Sequence, residues 1–260
     1  ACDTADEHRN LPDFTTPELT IAPDVLTDID HVVHLAAIAH RDGVGEADYD
    51  AVNRAAPFAL AQAAAQAQCQ RFVFLSTAKV LGDTGRNLTD DTAPEPPDAY
   101  SRAKLAADDA LAAIAQKSSM AIISLRPPLV HGADAKANFK RLAQLIERGG
   151  IKGLPVPLGK TGNQRSLISR DHLITAIIAS LTAPNAQSGA YLVADQPAIP
   201  TDALIRHLAA GMGRKPPVFA FPPAVLRLIL RLLGKAGLAE RLLGDFSVDD
   251  TRFRQQFGWA

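Results

Sequence analysis

Tyr100-Ser101-Arg102-Ala103-Lys104 sets a phenol and an ammonium four residues apart. On a helix that spacing puts both on one face, so the ammonium can sit near the phenol. A free phenol titrates near pH ~10, and an adjacent cation favours the phenolate. Tyr100 is therefore a candidate to exchange a proton with the oxygen of a carbinol or ketone, with Thr77 or Ser76 as its hydrogen-bonding partner. Those two hydroxyls close the apolar run Phe72-Val73-Phe74-Leu75-Ser76-Thr77. The spacing alone is weak, because the chain has three tyrosines. Its order along the chain gives it weight: strand, paired hydroxyls, loop, Tyr/Lys helix, strand.

The elements that must position these groups alternate short apolar runs with helical stretches from His31 to Leu192, which predicts an α/β fold with a parallel sheet. Strands are expected at 31–35, 72–76, 121–125 and 189–193, with a short one at 18–21. Helices are expected at 49–68, 138–148, 173–181 and 201–212. Asp98, ending a Pro- and Asp-rich loop at 83–98, fits the N-cap of the Tyr100 helix. Gly149-Gly150 fits a C-cap. Residues 224–243 are apolar, with Arg227, Arg231, Lys235 and Arg241 recurring at helical spacing. The charges break the ~18-residue apolar run a membrane span needs. A basic membrane-surface helix is one reading, and a lobe helix with a solvated basic face is the plainer one.

The chain's 260 residues are 47% hydrophobic and 21% charged, enough for a full core and a small second lobe. A net charge of −1 gives no sign of nucleic acid or an anionic partner. Cys2 and Cys69 form neither a metal spacing nor a disulfide framework, and point to a reducing cytoplasm. The polar, acidic start at 1–7 is not a signal peptide.

Other motifs fall away. Gly159-Lys160-Thr161 suggests a phosphate loop, but five residues rather than four separate Gly153 from Gly159 and two of them are proline, so it reads as a turn. The seven histidines have no metal-ligand spacing; His31, His34 and His131 flank apolar runs and read as structural. Gly-x-Ser-x-Gly is absent, which argues against a serine hydrolase. Arg165, in the turn Gly162-Asn163-Gln164-Arg165-Ser166, is either a solvated loop arginine or a diphosphate clamp, since a guanidinium fork matches phosphate oxygens. Asn138 would open its helix, where free N–H groups favour anions. Their joint occurrence downstream of Tyr100 and Lys104 favours the functional reading of both.

Together these segments resemble the extended short-chain dehydrogenase/reductases of the NAD-dependent epimerase/dehydratase family that act on nucleotide sugars. The resemblance runs through His34-Leu35-Ala36-Ala37, Asn53, Leu75-Ser76-Thr77-Ala78-Lys79-Val80-Leu81-Gly82, Tyr100 with Lys104, Leu125-Arg126-Pro127-Pro128-Leu129-Val130-His131-Gly132, Asn138, Arg165-Ser166-Leu167 and Phe257-Gly258-Trp259. It implies a Rossmann-type doubly wound parallel sheet with a small C-terminal substrate lobe. The implied division is a dinucleotide-binding domain at 1–160 and a mainly substrate-binding lobe at 161–260, with one strand and helix returning to the sheet. It implies Thr77, Tyr100 and Lys104 as the catalytic set. Ala36, Ala37, Asn53, Ser76, Tyr100, Lys104, Pro127 and Val130 would hold NAD or NADP, and Thr77, Asn138 and Arg165 the nucleotide sugar. A cytoplasmic homodimer with no metal, nucleic acid or integral membrane segment completes the expectation.

Departures from the family pattern narrow the chemistry. Dehydratases carry Asp-Glu after the active-site Thr; Ala78-Lys79 stands here, which disfavours elimination of water and resembles 4-epimerases and 4-keto reductases of UDP-N-acetylhexosamines. Leu81 and His131 replace a Tyr common in the family. The glycine-rich turn that lets a backbone approach a pyrophosphate is not in the sequence, and the residues before His31 are too few for the first strand, its helix and the second strand. Roughly 45–60 residues of a complete fold are expected to be missing. If the glycine motif were truly lost, a binding or regulatory protein on the same scaffold would be the alternative to an enzyme.

Overall fold

The strand around Phe72-Val73-Phe74 alternates between two cores, as successive strand residues must. In the computed structural model, which describes residues 20–39, 43–132 and 138–260, it is β2 (Arg71–Leu75), a central strand of a four-stranded sheet. The other three are β1 (His31–His34), β4 (Ala121–Arg126) and β7 (Gly189–Leu192), in the order β1-β2-β4-β7, with every pairing parallel. Val73 joins Ile123, Leu125 and Tyr191 on one face; Phe72 and Phe74 join Val32 and Ile122 on the other. Parallel strands covered on both faces need such continuous apolar runs.

Helices fill both faces, as expected of a doubly wound fold. The first chain segment after β1 runs through α1 (Glu46–Asp50), a π-helical turn (Ala51–Ala55) and α2 (Ala56–Gln66). The expected single helix at 49–68 is thus interrupted by a π turn. Ala61 and Ala64 of α2, with Ala107 and Leu111 of α3 (Ala99–Ala115), cover the Phe72 face. The opposite face takes Leu173 and Ala176 of α5 (Arg170–Thr182), and Phe253 and Phe257 of α9 (Thr251–Phe257). The chain end returns there: Trp259 is buried and its indole N–H donates to Thr175 Oγ1 at 2.9 Å.

Four short strands escape the sequence pattern: β3 (Gly85–Leu88) pairs with β8 (Phe246–Val248), and β5 (Leu129–His131) with β6 (Leu167–Ser169). The first of these lies inside the stretch read as loop 83–98. The strand expected at 18–21 is not found at Thr20 and Ile21, and Glu18 and Leu19 lie outside the described residues. The remaining helices, α4 (Asn138–Glu147), α6 (Thr201–Gly211), α7 (Pro223–Leu232) and α8 (Ala236–Leu243), share a smaller core of Ile146, Ile205, Ala209, Leu226 and Leu243. Gly149 and Gly150 end α4 with positive φ of 66° and 113°, and Gly150 N–H donates to Leu145 O, the expected C-cap. Gly159, from the rejected phosphate loop, is a packing glycine: an added Cβ would lie 2.6 Å from the Phe219 carbonyl carbon.

Candidate active site

Three strands deliver their carboxyl ends to the same sheet edge, where ligands of open α/β sheets bind. Beyond β2 come Ser76 and Thr77, beyond β1 the exposed Ala36 and Ala37, and beyond β4 the buried Pro127. The ends are stitched together by Ser76 N–H to Leu125 O (2.8 Å) and Ala78 N–H to Pro127 O (2.9 Å). Thr77 caps a 3-10 turn (Ala78–Leu81), its Oγ1 accepting from Lys79 N–H at 3.2 Å. Its side chain also hydrogen-bonds the Tyr100 phenol, so the two groups read from the sequence as partners do meet.

Helix α3 brings Tyr100 and Lys104 to this edge. Asp98 is its N-cap: Oδ1 accepts from Ser101 N–H at 2.8 Å, and Ser101 Oγ returns to the Asp98 N–H. Lys79 Nζ lies 2.5 Å from Asp98 Oδ2 and ties the 3-10 turn to the helix start. Burial opposes ionisation of Asp98, but hydrogen bonds from Lys79 and Ser101 bring its carboxyl down to about 2.

Lys104 is 1% exposed; its ammonium donates to Leu75 O at 2.8 Å and sits 4.3 Å above the Phe74 ring. Burial pulls its pKa down to about 8, against the opposing pull of Asp108. Tyr100 departs from the expected direction. Burial and then the Asp98 carboxylate push the phenol up to about 12, while the Thr77 hydrogen bond works the other way. The nearby anion and the dry surroundings outweigh any help from the helix-mate ammonium. Tyr49 meets the Tyr100 ring edge-on at 6.4 Å.

Beneath this pair lies a buried ionic network that the sequence reading did not find. Asp108 Oδ2 accepts from Arg126 Nε and from Ser76 Oγ, both at 2.9 Å, with Asp108 and Arg126 5% and 7% exposed. Burial raises the Asp108 pKa and the Arg126 guanidinium opposes that rise. Ser76 therefore spends its hydroxyl downward, and Thr77 is the hydroxyl that meets Tyr100. The signal was present: Lys104, Ala107, Asp108 and Leu111 share one helical stripe, and a carboxyl among apolar residues on an inward stripe needs a cation.

Asn53 acts on the loop after β1 through the backbone. Fully buried in the π turn, it accepts from Ile38 N–H at 3.0 Å and donates to Ile38 O at 2.9 Å, fixing the segment that carries Ala36 and Ala37. His34, at the end of β1, is held between the Phe72 and Phe74 rings, and burial followed by the Lys104 charge lowers its pKa to about 4. Val130 is half-buried against the sheet core.

Arg165 is half-buried in an extended segment bridged to Ile199 and Phe246, so it is not a solvated loop arginine. Its Nη1 donates to Gly244 O at 3.2 Å, burial lowers its pKa, and Asp83 and Asp245 oppose that shift. Asn138 opens α4 as expected, and its side chain lies outside the described residues. His131, read as structural, hydrogen-bonds Asp195 Oδ2 at 3.3 Å; Asp195 also accepts from the Ser169 amide and contacts His172 Nδ1 at 2.7 Å. No cluster that could hold a metal occurs among the described residues.

Residues 6–194 match the model of the NAD dependent epimerase/dehydratase family. A Vibrio cholerae protein described as UDP-glucose 4-epimerase is 34% identical over 236 residues, covering 88% of this chain and 71% of that protein. Among solved structures, UDP-glucuronic acid 4-epimerase from Bacillus cereus in complex with NAD superposes with a TM-score of 0.72 at 19% identity, over 96% of this chain and 74% of that one. The Bordetella bronchiseptica enzyme WbmG in complex with NAD gives 0.67 at 20% identity, over 88% and 66%. At these identities the structures speak for the fold.

Proposed function

This chain belongs to the NAD dependent epimerase/dehydratase family, and from that premise we propose that it acts at C4 of a nucleotide sugar, as a UDP-hexose or UDP-N-acetylhexosamine 4-epimerase. The observation that carries the reading is the Thr77–Tyr100–Lys104 set at the carboxyl edge of a parallel sheet, with Thr77 and Tyr100 half-buried and Lys104 buried.

The residues at that edge suit a nicotinamide dinucleotide. Lys104 has three donors, and among the described residues its one hydrogen bond is to Leu75 O, leaving capacity for ribose hydroxyls. Ala36 and Ala37 are small and exposed and precede Ile38, which Asn53 holds, and this leaves room for close approach to the backbone. Ser76, Pro127 and Val130 complete the set that would line the cofactor. The NAD complexes of the similar structures support NAD as that cofactor. When bound, the oxidised dinucleotide supplies a hydride acceptor and a positive ring charge.

Tyr100 does the proton work. As the sugar C4 carbinol is oxidised, its O–H proton passes to the phenolate of Tyr100; as the ketone is reduced, the phenol returns a proton to the same oxygen. Thr77 orients that oxygen by hydrogen bonding both to it and to Tyr100. A base with its pKa near 12 is poor at neutral pH, so the forward half needs positive charge brought near the phenol. Asn138 and Arg165 would hold the diphosphate, Arg165 through guanidinium donors beyond the one used on Gly244.

The same set also suits a 4-keto reductase, in which Tyr100 serves only as acid. The two separate by stoichiometry: an epimerase interconverts UDP-glucose and UDP-galactose, or their N-acetyl forms, with no net use of dinucleotide, and a reductase consumes it. For either, Tyr100→Phe is expected to lower turnover about a hundredfold or more while retaining nucleotide binding by calorimetry. Wild-type turnover in that variant would overturn the assignment.

A further inference from the structure

Helix α7 keeps only a narrow part of its apolar surface inside. Leu226 is buried and Leu230 half-buried in the small core with Ile205 and Leu243. Val225, Leu228, Ile229, Leu232 and Leu233 face outward, with Leu232 78% and Leu233 64% exposed. Their spacing forms one continuous helical stripe rather than scattered surface leucines. Leu238 of α8 extends the exposed apolar surface.

The surroundings of that stripe are cationic. Residues 213–244 contain Arg214, Lys215, Arg227, Arg231, Lys235 and Arg241 against a single acid, Glu240, in a chain whose net charge is −1. Glu240 braces the two helices, 3.0 Å from Arg231 and 3.9 Å from Arg227, so the one anion is already engaged. On the helix Arg231 flanks the stripe on the side of Leu228, where a long stem can lie along apolar surface while the guanidinium reaches polar groups, and Arg227 next to it turns its guanidinium to Leu243 O at 3.2 Å.

We propose that the α7–α8 face docks on an anionic lipid surface, with α7 lying in the plane of the interface. An apolar face bordered by cations is the chemistry that such a surface selects. A second copy of the chain is the poorer occupant, because a symmetric pairing would oppose two like-charged rims. The helix does not cross: no described helix is long and apolar enough to do so.

The test is co-sedimentation of the full chain with phosphatidylcholine vesicles, with and without phosphatidylglycerol. The expected result is binding to the anionic vesicles that weakens as salt is raised. Leu228→Glu with Leu232→Glu should lower the vesicle affinity by about tenfold or more while leaving the thermal midpoint unchanged. Lys215→Glu with Lys235→Glu should weaken binding to anionic vesicles alone. No binding at low salt, or equal binding to neutral vesicles, would overturn the proposal. So would a dimer, seen by light scattering, that Leu228→Glu with Leu232→Glu splits while vesicles bind nothing; that result gives the face to a second copy.

Discussion

At the sheet edge the chain buries an ammonium and a carboxylate, Lys104 and Asp108; on α7 and its C-cap residue it leaves five aliphatic side chains in the open. Both depart from the ordinary sorting of apolar inward and charged outward, in opposite directions. The buried charges are answered inside the fold: Asp108 by Arg126 and Ser76, Lys104 by the Leu75 carbonyl and the Phe74 ring. Among the described residues nothing covers the exposed leucines. The difference teaches that the buried charges will show themselves through stability and pH, whereas the exposed leucines will show themselves only against something outside.

The sharpest way to break this contrast is to remove an internal answer. Asp108→Ala leaves Arg126 buried without its carboxylate, and should cost about 3–5 kcal/mol in urea unfolding. An effect near zero would mean that the pair is solvated after all. Next comes acid. The His34 pKa falls from 6.5 to about 4 in the fold, so the unfolded chain binds its proton first as pH drops. Stability should therefore be lost progressively between pH 6.5 and about 4, by about 3 kcal/mol in all, and level off below. A His34→Phe variant measured over the same range should lack that loss. Asp98→Ala removes the α3 cap together with the Lys79 contact and should cost about 1–2 kcal/mol. At the small end, Leu232→Ser on the outer face should change stability by no more than about 0.5 kcal/mol. A large loss there would show that α7 is a core helix and erase the comparison.

Much of this was legible from residues with one dominant cause. The alternation through Phe72-Val73-Phe74 located the central strand; Asp98 before the Tyr/Lys run located the cap; Gly149-Gly150 located the end of α4. Tyr100 and Thr77 could be paired because one strand and one helix deliver them to the same edge. What could not be read depends on partners distant in sequence. The β3–β8 ladder joins Gly85 to Phe246, and neither strand is long enough to show a period. Asp108 and Arg126 gain their meaning from burial, which comes from how α3 settles on β2 and β4. The direction of the Tyr100 pKa was misjudged for the same reason: helical spacing fixes Lys104 relative to Tyr100, but says nothing about how dry the site is or how near Asp98 lies.

Asn53 carries a consequence for local opening. Its side-chain amide bonds both the N–H and the C=O of Ile38, as a neighbouring strand would. The loop bearing Ala36 and Ala37 is thereby attached to a helix rather than left to its own length. Opening of that loop at Ile38 must break both of these bonds, a cost that the exposed residues alone would not carry. A surface loop at the mouth of the candidate site is thus tethered to the helical segment beside it.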